Sequence, residues 1–195
     1  MTAEVHDVSV AAEPAAISKS RLEMLFDGVF AIAMTILVLE LKVPELDKQR
    51  SVQELASALR HQGSTFFSYL LSFAVLGMFW FRHNMQYRHY HTINARMLVL
   101  HFVQLAAAAS FPFCAALYGH YPFNPLSIVI YLGCITIYAW ASFGGWIVAR
   151  RTGAFGPGMA ESTYLKSRKR GLFSVVFITM MFGAYLAILI LAQRR

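Results

Sequence analysis

Residues 21–44 limit the possible folds more than any other stretch. They open on Arg21, place Asp27 within the first two turns, and run apolar to Leu39 before Glu40, Lys42 and Pro44 close the run. About 20 such residues, at ~1.5 Å rise each, cross the hydrocarbon core of a bilayer as a helix. A carboxylate inside such a span costs roughly 2.5–3.5 kcal/mol near the bilayer centre. Asp27 therefore needs either a partner or a boundary position.

The rest of the chain agrees with a membrane setting. Of 195 residues, 57% are hydrophobic and 14% charged, with a mean hydropathy of +0.51, whereas a soluble domain carries about a quarter charged residues. The net charge of +7 raises nucleic acid as a partner. The basic residues, however, fall in short segments between apolar runs, which membrane topology explains and a nucleic-acid patch does not. Cys114 and Cys134 fall inside candidate spans and read as small packing residues. Residues 1–20 are mildly acidic and Ala-rich, with no basic segment ahead of a short apolar core. They are expected to form a disordered cytoplasmic tail, leaving 21–195 as a single transmembrane domain.

The expected class is therefore all-α, a polytopic helix bundle with spans at about 22–43, 63–82, 97–118, 126–149 and 172–192. Between the first two, Ser51 and Glu54 suit the capping of a short amphipathic helix with Val52, Leu55 and Leu59 on one face. Small residues at 106–110, and Gly133, Gly144 and Gly145, allow helices to approach closely. Pro112 is expected to kink or end the third span. For orientation, Lys19, Arg21, the arginines of 82–96 and the six Lys and Arg of 150–170 outnumber those of the alternate segments. That places the N-terminus in the cytoplasm and the protein in the cell membrane as a multi-pass component of the lipid bilayer.

At 100° per residue, Gly28, Ile32, Thr35, Ile36 and Leu39 form one stripe of the first helix, with Asp27 about 140° away from Ile32. Arg21, Trp80, His83 and His101 stand at the ends of spans as possible partners for Asp27. Three roles remain open for Asp27: a structural polar network, an interface position favoured by the helix dipole, or a proton relay using His83 and His101. His83, His89 and His91 read as a basic interfacial segment rather than a metal site. No nucleotide, metalloprotease or hydrolase motif occurs, so no enzyme is expected. A T-V-G-Y-G carbonyl filter is also missing.

The first helix resembles that of the bacterial branch of the transmembrane protein 175 family of potassium channels. The resemblance rests on Arg21, the run from Asp27 to Ala33, Thr35, the run from Leu37 to Leu39, and Pro44. Tyr69, Ser72 and Phe73, then Trp80 and His83, are similar to the family's second helix, and Pro112 and Phe113 to the end of its third. The resemblance covers about residues 20–120. It implies a potassium-preferring channel, a homotetramer without cofactor, whose first helices line the pore. Carried over by position, Ile32 is the narrowest layer, Ile36 and Leu39 are further apolar rings, and Thr35 is a hydroxyl layer. Arg21, Asp27, Trp80 and His83 match a polar network holding the pore helix, which His101 could join where the family carries Asn. The family's serine before the Asp is Phe26 here, and its pattern has six spans against the five found. The residues themselves leave two other readings: a proton-coupled transporter or proton leak using Asp27, His83 and His101, or a non-conducting membrane scaffold.

Overall fold

Four helices of this chain begin where a short polar side chain can take up a free backbone N–H. Ser18, Ser51, Asn94 and Asn124 accept from the backbone N–H of Arg21, Glu54, Met97 and Leu126 respectively. The computed structural model describes residues 18–46 and 51–193. Its helices are α1 (Lys19–Ile36), continued by a 3-10 turn (Leu37–Glu40), α2 (Val52–His61), α3 (Gly63–Tyr87), α4 (Ala95–His120), α5 (Pro125–Arg151) and α6 (Glu161–Gln193). Among the described residues there is no strand, only one isolated bridge between Tyr90 and Phe155.

Five of these elements, all but α2, are long and apolar enough to cross a membrane, as expected. Their ends differ from those expected. The helix of the second span runs on to Tyr87, and α6 starts at Glu161, so Lys166, Arg168, Lys169 and Arg170 lie on its first turns rather than in a loop. Hydropathy marks only the part of a helix that suits lipid. Lys and Arg are good helix formers and let the helix continue into the polar zone. Of the expected tail, residues 1–17 lie outside the described residues, while Lys19 and Ser20 already belong to α1. Arg194 and Arg195 also lie outside.

Pro112 does not end its helix. It is buried in the middle of α4, which continues to His120. The ring removes one backbone donor, a loss that a membrane helix tolerates where neighbouring helices pack around the site. The amphipathic α2 forms where expected, yet Val52, Leu55 and Leu59 stay exposed. Its apolar face is not laid on the other helices of this chain.

α4 is the central helix, with half of its apolar window buried against α1, α3 and α5, while α6 rests on α5 with 6% of its window buried. The closest approaches use glycine. A Cβ on Gly119 would stand 3.2 Å from the Ser68 Cβ and 3.3 Å from the Thr65 Cα, and one on Gly171 would stand 3.1 Å from the Phe143 ring. Of the glycines singled out in the sequence, Gly144 is the tightest, at 3.4 Å from Leu100. Cys114 and Cys134 are free and buried, and the Cys134 thiol donates to the Ala107 carbonyl at 3.2 Å. Hydroxyls join the helices: Ser68 donates to the Ala115 carbonyl at 2.6 Å, Tyr138 to the Phe79 carbonyl at 3.2 Å, and Ser72 and Tyr131 pair at 3.1 Å.

At one end of the bundle the turn after α3 is locked to the loop before α6. The His91 N–H donates to the Ala154 carbonyl at 2.8 Å, and the Gly156 N–H to the His89 carbonyl at 3.3 Å. Gly153 makes this return possible with φ of 65°, a conformation that side chains with a Cβ disfavour. Tyr90, Trp146, Phe155 and Tyr164 close around it.

Candidate functional site

α1 divides into two faces. Leu22, Phe26, Phe30, Ala33 and Leu37, at spacings of three and four, are buried against α3 and α4. The opposite face carries Ile32, Thr35, Ile36 and Leu39, all exposed, with Ile32 at 60% and Leu39 at 70%. The expected stripe is therefore on one side, and no part of the described chain covers it. Leu39 lies on the 3-10 turn rather than on the α-helix proper. Thr35 donates its hydroxyl hydrogen to the Ile32 carbonyl at 2.8 Å, so only oxygen lone pairs remain for whatever meets the stripe.

The residues expected to hold α1 separate into two groups. Trp80 Nε1 donates to Asp27 Oδ1 at 2.8 Å, linking α3 to α1 on the exposed side. His83 and His101 belong instead to the buried side. The His83 ring stacks on Phe26 at 3.6 Å with 9° between planes, and lies 5.9 Å from the His101 ring. His101 Nδ1 is bonded to the Met97 carbonyl at 2.6 Å. Tyr87 packs on both imidazoles, at 4.6 and 5.3 Å. Arg21 is exposed and joins neither group through its side chain; its backbone N–H serves the Ser18 cap.

The anchor that sequence reasoning missed is Lys19. Its ammonium donates to the Tyr90 carbonyl at 2.9 Å and stands 5.8 Å over the Tyr87 ring, so it ties the first turn of α1 to the locked turn after α3. Burial pushes the Tyr90 hydroxyl well above the usual phenol range. The signal available was weak, since a lysine ahead of an apolar run is also what topology requires. Gln104 of α4 is not among the expected site residues either. It is buried, and its Oε1, His83 Nε2 and the Tyr87 hydroxyl have no partner among the described residues.

What these features define is an all-helical, multi-pass membrane bundle whose first helix offers an apolar and hydroxyl face that its own chain leaves open. Residues 21–112 match the family described as endosomal/lysosomal potassium channel TMEM175. A crystal structure of a lysosomal potassium-selective channel TMEM175 homologue from Chamaesiphon minutus superposes with a TM-score of 0.62, covering 90% of this chain and 97% of that one at 25% identity. Residues 21–112 are thus similar to a family of ion channels, and the fold as a whole is similar to that of a TMEM175 homologue. A potassium channel of Streptomyces collinus is 33% identical over 101 residues, 52% of this chain and 48% of that protein. A potassium channel of Chryseobacterium is 32% identical over 112 residues, 56% and 55% of the two. The endosomal/lysosomal proton channel TMEM175 of Mus musculus is 34% identical over 103 residues, 50% of this chain and 21% of that protein. The chain thus spans about half the length of the bacterial relatives and about a fifth of the mouse protein.

Proposed function

We propose that this chain is a subunit of a homotetrameric, potassium-preferring cation channel of the cell membrane, with α1 lining the pore and its N-terminus in the cytoplasm. The observation that carries this reading is the two-faced first helix. Its large apolar side chains Ile32, Ile36 and Leu39 are exposed beside one hydroxyl, while Phe26 and Phe30 are fully enclosed on the other side. Around a shared axis four such faces form apolar rings at Ile32, Ile36 and Leu39 with a ring of threonine oxygens between. An apolar constriction passes an ion only when it wets and the ion sheds part of its water, which favours potassium, the more weakly hydrated ion. Ile32→Asn is expected to raise flux in proteoliposomes and to lower the potassium-to-sodium ratio. An unchanged ratio removes Ile32 as the selective layer.

A second reading has its own observation. His83 and His101, with the unpaired polar atoms of Gln104 and Tyr87, form a buried titratable group behind α1, and the mouse relative is named a proton channel. A proton path through Asp27 and these imidazoles predicts that Asp27→Asn abolishes flux in a folded protein. The channel reading predicts that Asp27→Asn still conducts potassium, because the amide oxygen keeps an acceptor for Trp80.

A further inference from the structure

Between α3, α5 and α6 lies a cavity of about 500 Å³ that the α1 face does not touch. Its polar wall carries Arg82 from α3, Arg170, Ser167 and Ser174 from α6, and Ser142 from α5; Phe81, Phe143 and Phe173 supply much of the rest. No carboxylate lines it. Arg82 Nη1 donates to the Ser174 hydroxyl at 3.0 Å, and that hydroxyl in turn donates to the Arg170 carbonyl at 3.0 Å. The Arg82 guanidinium is thereby held at the cavity by a neutral hydroxyl, and Arg170 lines the same cavity from α6. Among the described residues the one ion pair is Arg150 with Glu161, so neither arginine of the cavity is neutralised by a carboxylate.

The depth of the cavity names the kind of anion. Residues 63–81, 125–149 and 171–193 contain no Asp, Glu, Lys or Arg, and Arg82 and Arg170 are the first charges beyond two of those runs. They therefore sit where the hydrocarbon ends and the headgroups begin. Phe81 and Phe173, at 60% and 74% exposure, continue the cavity's apolar wall onto the outer surface of the bundle. A ligand suited to this place carries a phosphate to accept from paired guanidinium donors and an apolar tail to lie along the aromatic rings. We propose that the cavity is a binding site for the phosphate headgroup of an anionic phospholipid, clasped by Arg82 and Arg170 across the α3–α6 seam. A bound headgroup would join α6, the least buried of the five spans, to α3.

The test uses the full chain purified in detergent, with phosphatidylglycerol, phosphatidylcholine and inorganic phosphate as probes and lipid retention read by native mass spectrometry. Wild-type protein is expected to retain phosphatidylglycerol over phosphatidylcholine, and Arg82→Gln/Arg170→Gln to reduce that retention about tenfold. Lys166→Gln/Lys169→Gln removes the same charge from α6 outside the cavity and is expected to leave retention unchanged. Ser167→Phe keeps both arginines but fills the space, and is expected to release the lipid in a protein whose helix content is intact. This variant also decides the matter if the double arginine variant does not fold. Equal loss in the lysine pair, retention unaffected by Ser167→Phe, or displacement of the lipid by inorganic phosphate alone would each overturn the assignment.

Discussion

Asp27 is the residue that draws the eye in the sequence, since a carboxylate in a membrane helix demands an explanation. Its role is set by one donor. The indole of Trp80 reaches it across the α1–α3 seam at 2.8 Å, at an exposed position of α1. A hydrogen bond to a charged acceptor contributes more than a neutral one, but this pair is exposed, so about 1 kcal/mol is a suitable figure. Trp80→Phe keeps the aromatic body and removes the N–H. It is expected to lower the melting temperature in detergent by about 2–4 °C for a chain of this size, with Asp27→Asn, which keeps an acceptor, losing less. A Trp80→Phe protein as stable as wild type would show that the bond is not what positions α1. The same comparison separates this pair from the imidazoles. His83 and His101 were natural partners for Asp27 by sequence position, but the ring of Phe26 takes the place beside His83 instead. Phe26 stands where the family carries its serine, and it is fully buried. The stack follows from the identity of one residue, and no spacing rule would anticipate it.

At the scale of the helix, the sequence was informative where one face is buried and another is not. The 100° wheel found the stripe of Ile32, Thr35 and Ile36 because a two-sided helix must segregate its residues, and the same periodicity left Leu22, Phe26 and Phe30 for the core. Periodicity is silent for α5 and for the part of α6 beyond Arg170, where apolar residues occur all round and carry no directional signal. Packing there is decided by local shape. Gly119 and Gly171, not the Gly144 and Gly145 pair, mark the tightest seams, because what matters is the backbone or ring lying opposite, which the sequence does not state. Gly119→Leu is a sharp test. Its side chain would need to occupy space held by the Thr65 backbone and by Ser68, so α3 and α4 must separate. The expected result is loss of the Ser68–Ala115 bond and a destabilisation of about 1–3 kcal/mol from overpacking. Thermal unfolding in detergent measures it. Gly183→Leu, at a position with open space, is expected to be tolerated, and equal melting temperatures for the two variants would remove the close approach as their cause.

Two of the molecule's open surfaces, on α1 and on α6, lie at different places, and they call for different neighbours. α6 rests on α5 and shows the large apolar residues Phe173, Phe177, Met180 and Ile188 outward, a surface that lipid can cover without further help. α1 packs on α3 and α4 and shows a narrower face in which a threonine and the small residues Gly28 and Ala31 lie among isoleucines. If both surfaces merely faced lipid, cysteines placed on them would behave alike. If α1 faces its own copies around an axis, they would not. On a Cys114→Ser/Cys134→Ser background, Ile36→Cys is expected to be joined into pairs nearly completely by a short bis-maleimide, while Phe173→Cys reacts singly, and light scattering on the unreacted protein is expected to give the mass of four chains. The pairing and the mass answer separate questions. A single-chain mass would overturn the tetramer, whereas a tetramer in which only Phe173→Cys pairs would place α6, rather than α1, at the axis and move the pore away from Ile32.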